Sequence, residues 1–127
     1  MSILSSHKLA KIEKKCNQIL KNDNIKFAGV INSLGNLIAG GFKEDTTMIG
    51  TENLQKMMYM QLKLDLDMRK EYDELYGPVS YVLSKRRHAE KFTIPIGDHM
   101  VLLITEPKFN HVKLDEIISV FNSIMKN

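Results

Sequence analysis

The sequence predicts an α+β domain built on one five-stranded antiparallel sheet with helices on both faces. Residues 25–42, IKFAGVINSLGNLIAGGF, hold two short apolar runs joined by a polar turn with Gly35, a pattern typical of a β-hairpin. Helical periodicity flanks this hairpin on both sides, and three more strand-like runs and a last helix follow. The predicted order is helix-strand-strand-helix-strand-strand-strand-helix. One long helix would cover one face, and the first and last helices would cover the other.

The first helix is predicted from Ser5 to about Lys21, with Ser5 or Ser6 as its N-cap. Its apolar side chains recur at three- and four-residue steps: Leu9, Ile12, Cys16, Ile19 and Leu20. In the second arm of the hairpin, Leu37 and Ala39 alternate with Ile38 and Gly40. Because both faces of this arm look covered, we interpret it as a central strand.

The long helix is predicted over residues 51–76, with Thr51 as N-cap and Gly77-Pro78 as its end. At 100° per residue, one broad apolar face is expected to pack on the sheet: Leu54, Met57, Met58, Leu62, Leu64, Met68, Tyr72, Leu75 and Tyr76. Tyr59, Met60 and Leu66 lie outside that face. They therefore indicate a second apolar surface on the same helix.

Three strands and a helix complete the prediction. Residues 79–83 place Val79, Tyr81 and Leu83 on one side of a strand, and Pro95 suggests an edge or a bulge in the next strand. After the Gly97-Asp98 turn, residues 99–105 form the most apolar strand, which we expect to be the most buried. The last amphipathic helix begins near Asn110.

Length and composition predict one domain over residues 1–127, with 43% hydrophobic and 26% charged residues. The net charge of +3 is far from that of a dedicated nucleic-acid binder. Cys16 is the only cysteine, so no internal disulfide forms, and no apolar run approaches the roughly 20 residues of a membrane span. We expect a cytoplasmic protein without a membrane span.

No residue pattern indicates catalysis, a metal or a cofactor. The histidines His7, His88, His99 and His111 are spread over different elements without a metal-ligand spacing. Cys16 lies on the apolar side of the first helix, which favours a buried structural thiol over a nucleophile. No glycine motif for phosphate or dinucleotide binding is present. We therefore expect a protein that is not an enzyme.

One charge cluster stands out, which we call the basic corner: Lys85, Arg86, Arg87, His88 and Lys91. It lies at the turn between two predicted strands. A solvated turn explains it, and so does contact with an anion or with an acidic patch on a partner. Weak nucleic-acid binding through this turn is a further alternative.

Two segments carry a family resemblance. AGVINSLGNLIAGGF and FTIPIGDHMVLLITEPKFN resemble the opening hairpin and the closing strand-turn-strand-helix portion of the roadblock / dynein light chain superfamily, which is related to the profilin and longin folds. The chain looks like a prokaryotic-type member. The resemblance implies a non-catalytic domain that dimerises through the long helix and the strand after it. It also implies a dimer that serves as a platform for small GTPases or scaffold proteins.

The predicted homodimer or partner interface comprises Tyr59, Met60, Leu66, Val79, Tyr81 and Leu83. An apolar edge strand left bare invites pairing, and a two-fold contact would cover the strand and the helix together. Alternatively, Tyr59 and Leu66 are isolated surface apolar residues. A second functional hypothesis is a small-ligand sensor of the PAS or GAF kind, with a cavity between sheet and helix.

Overall fold

A computed structural model describes residues 4–44 and 51–126. The helices are α1 (Ser6–Ile19), α2 (Glu52–Arg69), α3 (Asp73–Tyr76) and α4 (His111–Met125), and a 3₁₀ turn (Lys70–Tyr72) joins α2 to α3. The strands are β1 (Ile25–Ile31), β2 (Leu37–Phe42), β3 (Val82–Lys85), β4 (Glu90–Ile96) and β5 (His99–Thr105). The predicted element order is confirmed.

The five strands form one antiparallel sheet in the order β2-β1-β5-β4-β3. β5 is central and every one of its residues is buried, as the sequence predicts for residues 99–105. Its side chains alternate between two cores, with Val101 and Leu103 on one side and Met100 and Leu102 on the other. A strand covered on both faces needs such an almost continuous apolar run.

Each face of the sheet carries its own core. Helices α1 and α4 cover one face, where Ile12, Phe92 and Phe121 are fully buried. Helix α2 covers the other, where Tyr59 and Leu66 pack in the same cluster as strand residues of β1 and β5. The predicted distribution of helices over the two faces is therefore confirmed. Among the helices described, none combines the length and the apolar character that crossing a membrane requires.

The helix starts follow from their caps. The Ser5 hydroxyl accepts a hydrogen bond from the Lys8 amide at 3.1 Å, and the Thr51 hydroxyl accepts one from the Leu54 amide at 3.1 Å. The Asn110 side chain does the same for the amide of Val112 at 2.8 Å. Each bond satisfies one of the amides that a helix start leaves without a partner.

Two strand predictions are corrected. β2 is an edge strand and not a central one. Its apolar pattern predicts that both faces are covered, but covered faces do not reveal whether both edges of the strand are hydrogen-bonded. β3 begins at Val82 and not at Val79, because residues 79–81 have no ladder partner on β4. Pro95 needs no bulge, because the pairing of β4 with β3 ends at Thr93.

Gly40 is held in a conformation that only glycine adopts readily. Its φ is +77°, and a Cβ atom there would collide with the carbonyl oxygen of Ala28 on β1. Gly41 also has a positive φ of +150°, but a Cβ atom on it would meet open space. A side chain at Gly40 would therefore cause both backbone strain and a steric clash, whereas one at Gly41 would cause backbone strain alone.

We predict that Gly40→Ala lowers the free energy of unfolding by about 3 kcal/mol or more, since strain and a backbone collision add. Gly41→Ala, the matched control, should cost only about 1 kcal/mol, from strain alone. Urea unfolding followed by circular dichroism measures both. Equal losses for the two variants would contradict the role assigned to Ala28.

Candidate interaction surface

Helix α2 and the helical turns that follow it, up to Tyr76, carry exposed apolar side chains. Of the ten large apolar side chains that are exposed in the described residues, eight lie between positions 54 and 76, each more than half exposed. We call them the outer stripe: Leu54, Met57, Met60, Leu64, Met68, Tyr72, Leu75 and Tyr76. Contiguous exposed apolar patches of this kind mark contact surfaces, whereas single exposed residues do not.

The sheet-facing side of α2 combines apolar and polar side chains, with Met58 and Leu62 half-buried against the core. Its buried residues are Gln55, Tyr59, Lys63 and Leu66. Tyr59 and Leu66 are 5% and 3% exposed, and the ring of Tyr59 lies 5.8 Å from that of Phe27 on β1. The Lys63 ammonium is compensated by the Asp67 carboxylate at 2.6 Å. A buried cation of this kind requires a close partner.

These positions correct the predicted interface. Tyr59 and Leu66 are core residues, so the prediction that they lie on the far side of the helix is wrong. Seven residues turn a helix by about 700°, so both residues lie on one side of it, and that side faces the sheet. Met60 is exposed, as predicted. The predicted sheet-facing residues at positions 54, 57, 64 and 68 form the exposed side instead.

Asp67 is charge-balanced from two directions. Partial burial favours its protonated form, but the hydrogen bond and charge of Lys63, together with Lys70 at 3.4 Å, outweigh this effect. The pKa of the Asp67 carboxyl is therefore held below its usual value. The carboxylate stays ionised, which keeps Lys63 paired beneath the helix.

A groove runs between the end of the long helical segment and the free edge of β3. It has a volume of about 580 Å³ and is lined by Arg69, Tyr72, Asp73, Tyr76, Gly77, Val79, Tyr81, Val82 and Leu83. Val79, Tyr81 and Leu83 are half-buried here. Val79 contacts the α2-side core, whereas Tyr81 and Leu83 contact the opposite core. The prediction that these three side chains share one face is therefore wrong.

The two edges of the sheet differ in how they are protected. On β2, the Glu13 carboxylate of α1 accepts a hydrogen bond from the Gly40 amide at 2.6 Å, and the glycine dihedrals distort the strand. Among the hydrogen bonds between described residues, β3 has no such side-chain cover. Blocking one edge with a charged side chain is a known protection against pairing. β3 is therefore the edge open to a further strand.

The basic corner lies at the β3–β4 turn, beside the groove. Lys85, Arg86, Arg87 and His88 are exposed. Lys91 is half-buried beneath α2, where its Nζ donates a hydrogen bond to the Met58 sulfur at 3.2 Å. Burial, with the charge of Arg86, lowers the pKa of the Lys91 ammonium. Within the described part of the chain, no ion pair joins the basic corner to a carboxylate.

The structure offers no cluster suited to metal binding within residues 4–44 and 51–126. The thiol of Cys16 is buried, as predicted, and burial together with the charge of Glu13 raises its pKa to about 12. A thiol with such a pKa is not a nucleophile at neutral pH. His99 is buried beside Asp98, with Nδ1 at 3.0 Å from Oδ1. The two core clusters occupy the space between sheet and helices in which a PAS-like ligand would lie.

The family follows from a match over almost the whole chain. A model described as a family of unknown function (DUF6659) matches residues 5–123. The chain belongs to this family. Among curated proteins, none matches it significantly in sequence.

Several solved structures are similar in fold to this chain. Myxococcus xanthus MglB is similar with a TM-score of 0.72 and 12% identity, over 98% of this chain and 95% of that one. A structure described as MglB with tetrameric arrangement gives 0.73 and 11%, over 98% and 94%. A Roadblock/LC7 domain from Streptomyces avermitilis gives 0.66 and 8%, over 87% and 91%. The chain thus has a roadblock/LC7-type fold, which confirms the resemblance seen in the sequence.

We predict that Leu66→Ala lowers the free energy of unfolding by about 3 kcal/mol, because it leaves a cavity against the sheet. Leu64→Ala is the matched control on the same helix. It should change the stability by less than about 0.5 kcal/mol at low protein concentration. Denaturant unfolding of both variants tests which side of α2 is the core. Similar losses would show that both sides are buried in the single chain.

Lys91 yields a pH-dependent prediction. Because the folded state lowers its pKa, charged Lys91 destabilises the fold at pH 7, and the effect disappears as pH rises toward the unfolded value of about 10.4. Lys91→Met should therefore stabilise the protein at pH 7, by less than about 1 kcal/mol since the group is partly exposed. In thermal melts, the gain should shrink as the pH rises toward that unfolded value. If the stability gain of Lys91→Met does not depend on pH, it arises from better packing and not from removal of the charge.

Proposed function

We propose that this protein is a non-enzymatic interaction module that forms a homodimer through the outer stripe and the free edge of β3. The observation that carries the proposal is the exposed apolar surface between positions 54 and 76, directly beside an unprotected strand edge. Both are liabilities in a lone chain, and one symmetric contact removes them together. The cytoplasmic location expected from the lone cysteine belongs to the same proposal.

The contact has a defined geometry. For one contact to cover both surfaces, the two α2 helices must lie on the same side of the joined sheets. The two-fold axis is then perpendicular to the sheet, and the two β3 strands pair in antiparallel orientation. The C-terminal half of the outer stripe, with Leu64 and Met68, leads toward the β3 groove and forms the centre of this contact. Methionine suits such a surface because its side chain adapts to its neighbour.

We further propose that the dimer serves as a platform for a small GTPase or a related scaffold protein. The roadblock resemblance supports this part, and an assembly of more than two copies is on record for one similar protein, the MglB with tetrameric arrangement. The two parts of the proposal are separable, since a dimer can form without a GTPase.

The homodimer is tested by placing charge in its centre. Leu64→Asp combined with Met68→Asp should convert the dimer to a monomer, because two carboxylates per chain would be desolvated at the contact. Light scattering after size-exclusion chromatography at 10–100 µM, roughly the range of transient to stable dimers, measures this. The matched control is Val112→Asp on α4, also an exposed apolar residue, which should leave the dimer intact. A monomeric wild type at these concentrations would contradict the proposal.

The platform is tested with the small GTPases encoded by the same organism, each loaded with GDP or with a non-hydrolysable GTP analogue. Calorimetric titration should show one that binds the wild type and not the Leu64→Asp/Met68→Asp variant. If none of these GTPases binds, the platform part of the proposal is wrong, whereas the homodimer part is unaffected.

A further inference from the structure

We propose that the basic corner of each copy binds the acidic end of α3 in the second copy, so that charge sets the register of the dimer. This inference rests on the homodimer proposed above and names the residues that align it. The acidic end comprises Glu71, Asp73 and Glu74. It lies at the start of the segment that leads into β3, whereas the basic corner lies at the end of β3.

Antiparallel pairing brings these two clusters together. When β3 pairs with its own copy about a two-fold axis, residues after Lys85 in one chain lie beside residues before Val82 in the other. Those residues include 77–81, which directly follow α3. The exposed side chains of Arg86 and Arg87 are then within reach of Asp73 and Glu74 in the second copy. The symmetry produces the contact twice.

The acidic end is not neutralised within its own chain. The neighbouring cations are occupied, since Arg69 pairs with Asp65 at 3.1 Å and Lys70 pairs with Asp67 at 3.4 Å. Among the ion pairs between described residues, none involves Glu71, Asp73 or Glu74. These three carboxylates are thus available to cations from another chain.

Asp73 provides the most specific observation. Its Oδ1 atom is buried and has no hydrogen-bond partner among the described residues, although Asp73 lines the open β3 groove. A buried carboxylate oxygen without a donor is costly. Asp73 as a whole is only partly buried, so a guanidinium that enters the groove from the second copy can approach its carboxylate and, after a rotation of that side chain, supply the donor. An arginine is well suited to this role because it can donate two parallel hydrogen bonds to one carboxylate.

The basic corner, in turn, has no carboxylate partner among the described residues of its own chain. Arg86 lies close enough to Lys91 to disfavour its charge, and the Lys91 ammonium donates its hydrogen bond to an uncharged sulfur. Like charges gathered at one turn repel one another in the isolated chain. Carboxylates from a second copy would relieve this repulsion at the same moment that they gain their own partners.

Charge reversal gives a direct test. Variant A carries Arg86→Glu and Arg87→Glu, and variant B carries Asp73→Arg and Glu74→Arg. Each alone should dimerise at least about tenfold more weakly than the wild type, because the pairs become repulsive in both symmetric contacts. An equimolar mixture should form a heterodimer with nearly wild-type affinity, since both of its contacts pair opposite charges. Sedimentation equilibrium at 50 and 300 mM NaCl measures the constants, and the wild-type dimer should weaken at the higher salt.

Lys11→Glu combined with Lys14→Glu is the control. It makes the same change in net charge as variant A on the exposed side of α1 and should leave dimerisation unchanged. Recovery in the mixture also shows that both variants fold. If either variant alone is unfolded, the milder Arg86→Gln/Arg87→Gln and Asp73→Asn variants should each still weaken the dimer severalfold.

The outcomes separate the two proposals. A monomeric wild type overturns both. If variants A and B each dimerise like the wild type, only the proposed charge contact is wrong. The same holds if the mixture of the two stays monomeric. If variant A keeps the wild-type dimer constant but loses binding to heparin or to a DNA oligonucleotide, the basic corner serves an external polyanion and this inference is wrong.

Discussion

The structure depends on how helix α2 packs on the sheet. Tyr59 and Leu66 fix α2 against β1 and β5, and the Lys63–Asp67 pair at 2.6 Å allows a lysine to lie between them without an uncompensated charge. Because α2 packs on the sheet with a side that is partly polar, several of its apolar side chains remain on the exposed side. The exposed stripe, the groove beside β3 and the proposed contact with a second copy all follow from this orientation.

The sequence predicts the fold well for a physical reason. The hairpin with Gly35, the fully apolar run at residues 99–105 and the capping residues Ser5 and Thr51 are local signals, and each acts within a few residues. Their order then leaves few ways to close one antiparallel sheet. Strand boundaries are less well determined. Val79 has strand-like neighbours, but it does not pair with β4, although β4 continues to Ile96.

The interaction surface is harder to predict, and α2 shows why. Periodicity reveals that a helix has apolar sides, but it does not state what covers each of them. Counting apolar residues predicts that the side with the larger number packs on the sheet, whereas Tyr59 and Leu66 occupy the core with Gln55 and Lys63 beside them. One signal was available: a helix with more apolar residues than one core can cover has two contact surfaces. The identity of each surface required the coordinates.

The hydrogen bond from Gly40 to Glu13 bears on the size of any assembly. A sheet with two accessible borders could add neighbours at both, and repeated addition would yield a fibre of unlimited length. A carboxylate that occupies a backbone amide of one border hinders addition there, while no such side chain covers the other border in the described residues. If the accessible border joins a second copy, as proposed, growth stops after that single event, and the glutamate on the first helix favours a finite particle over a polymer.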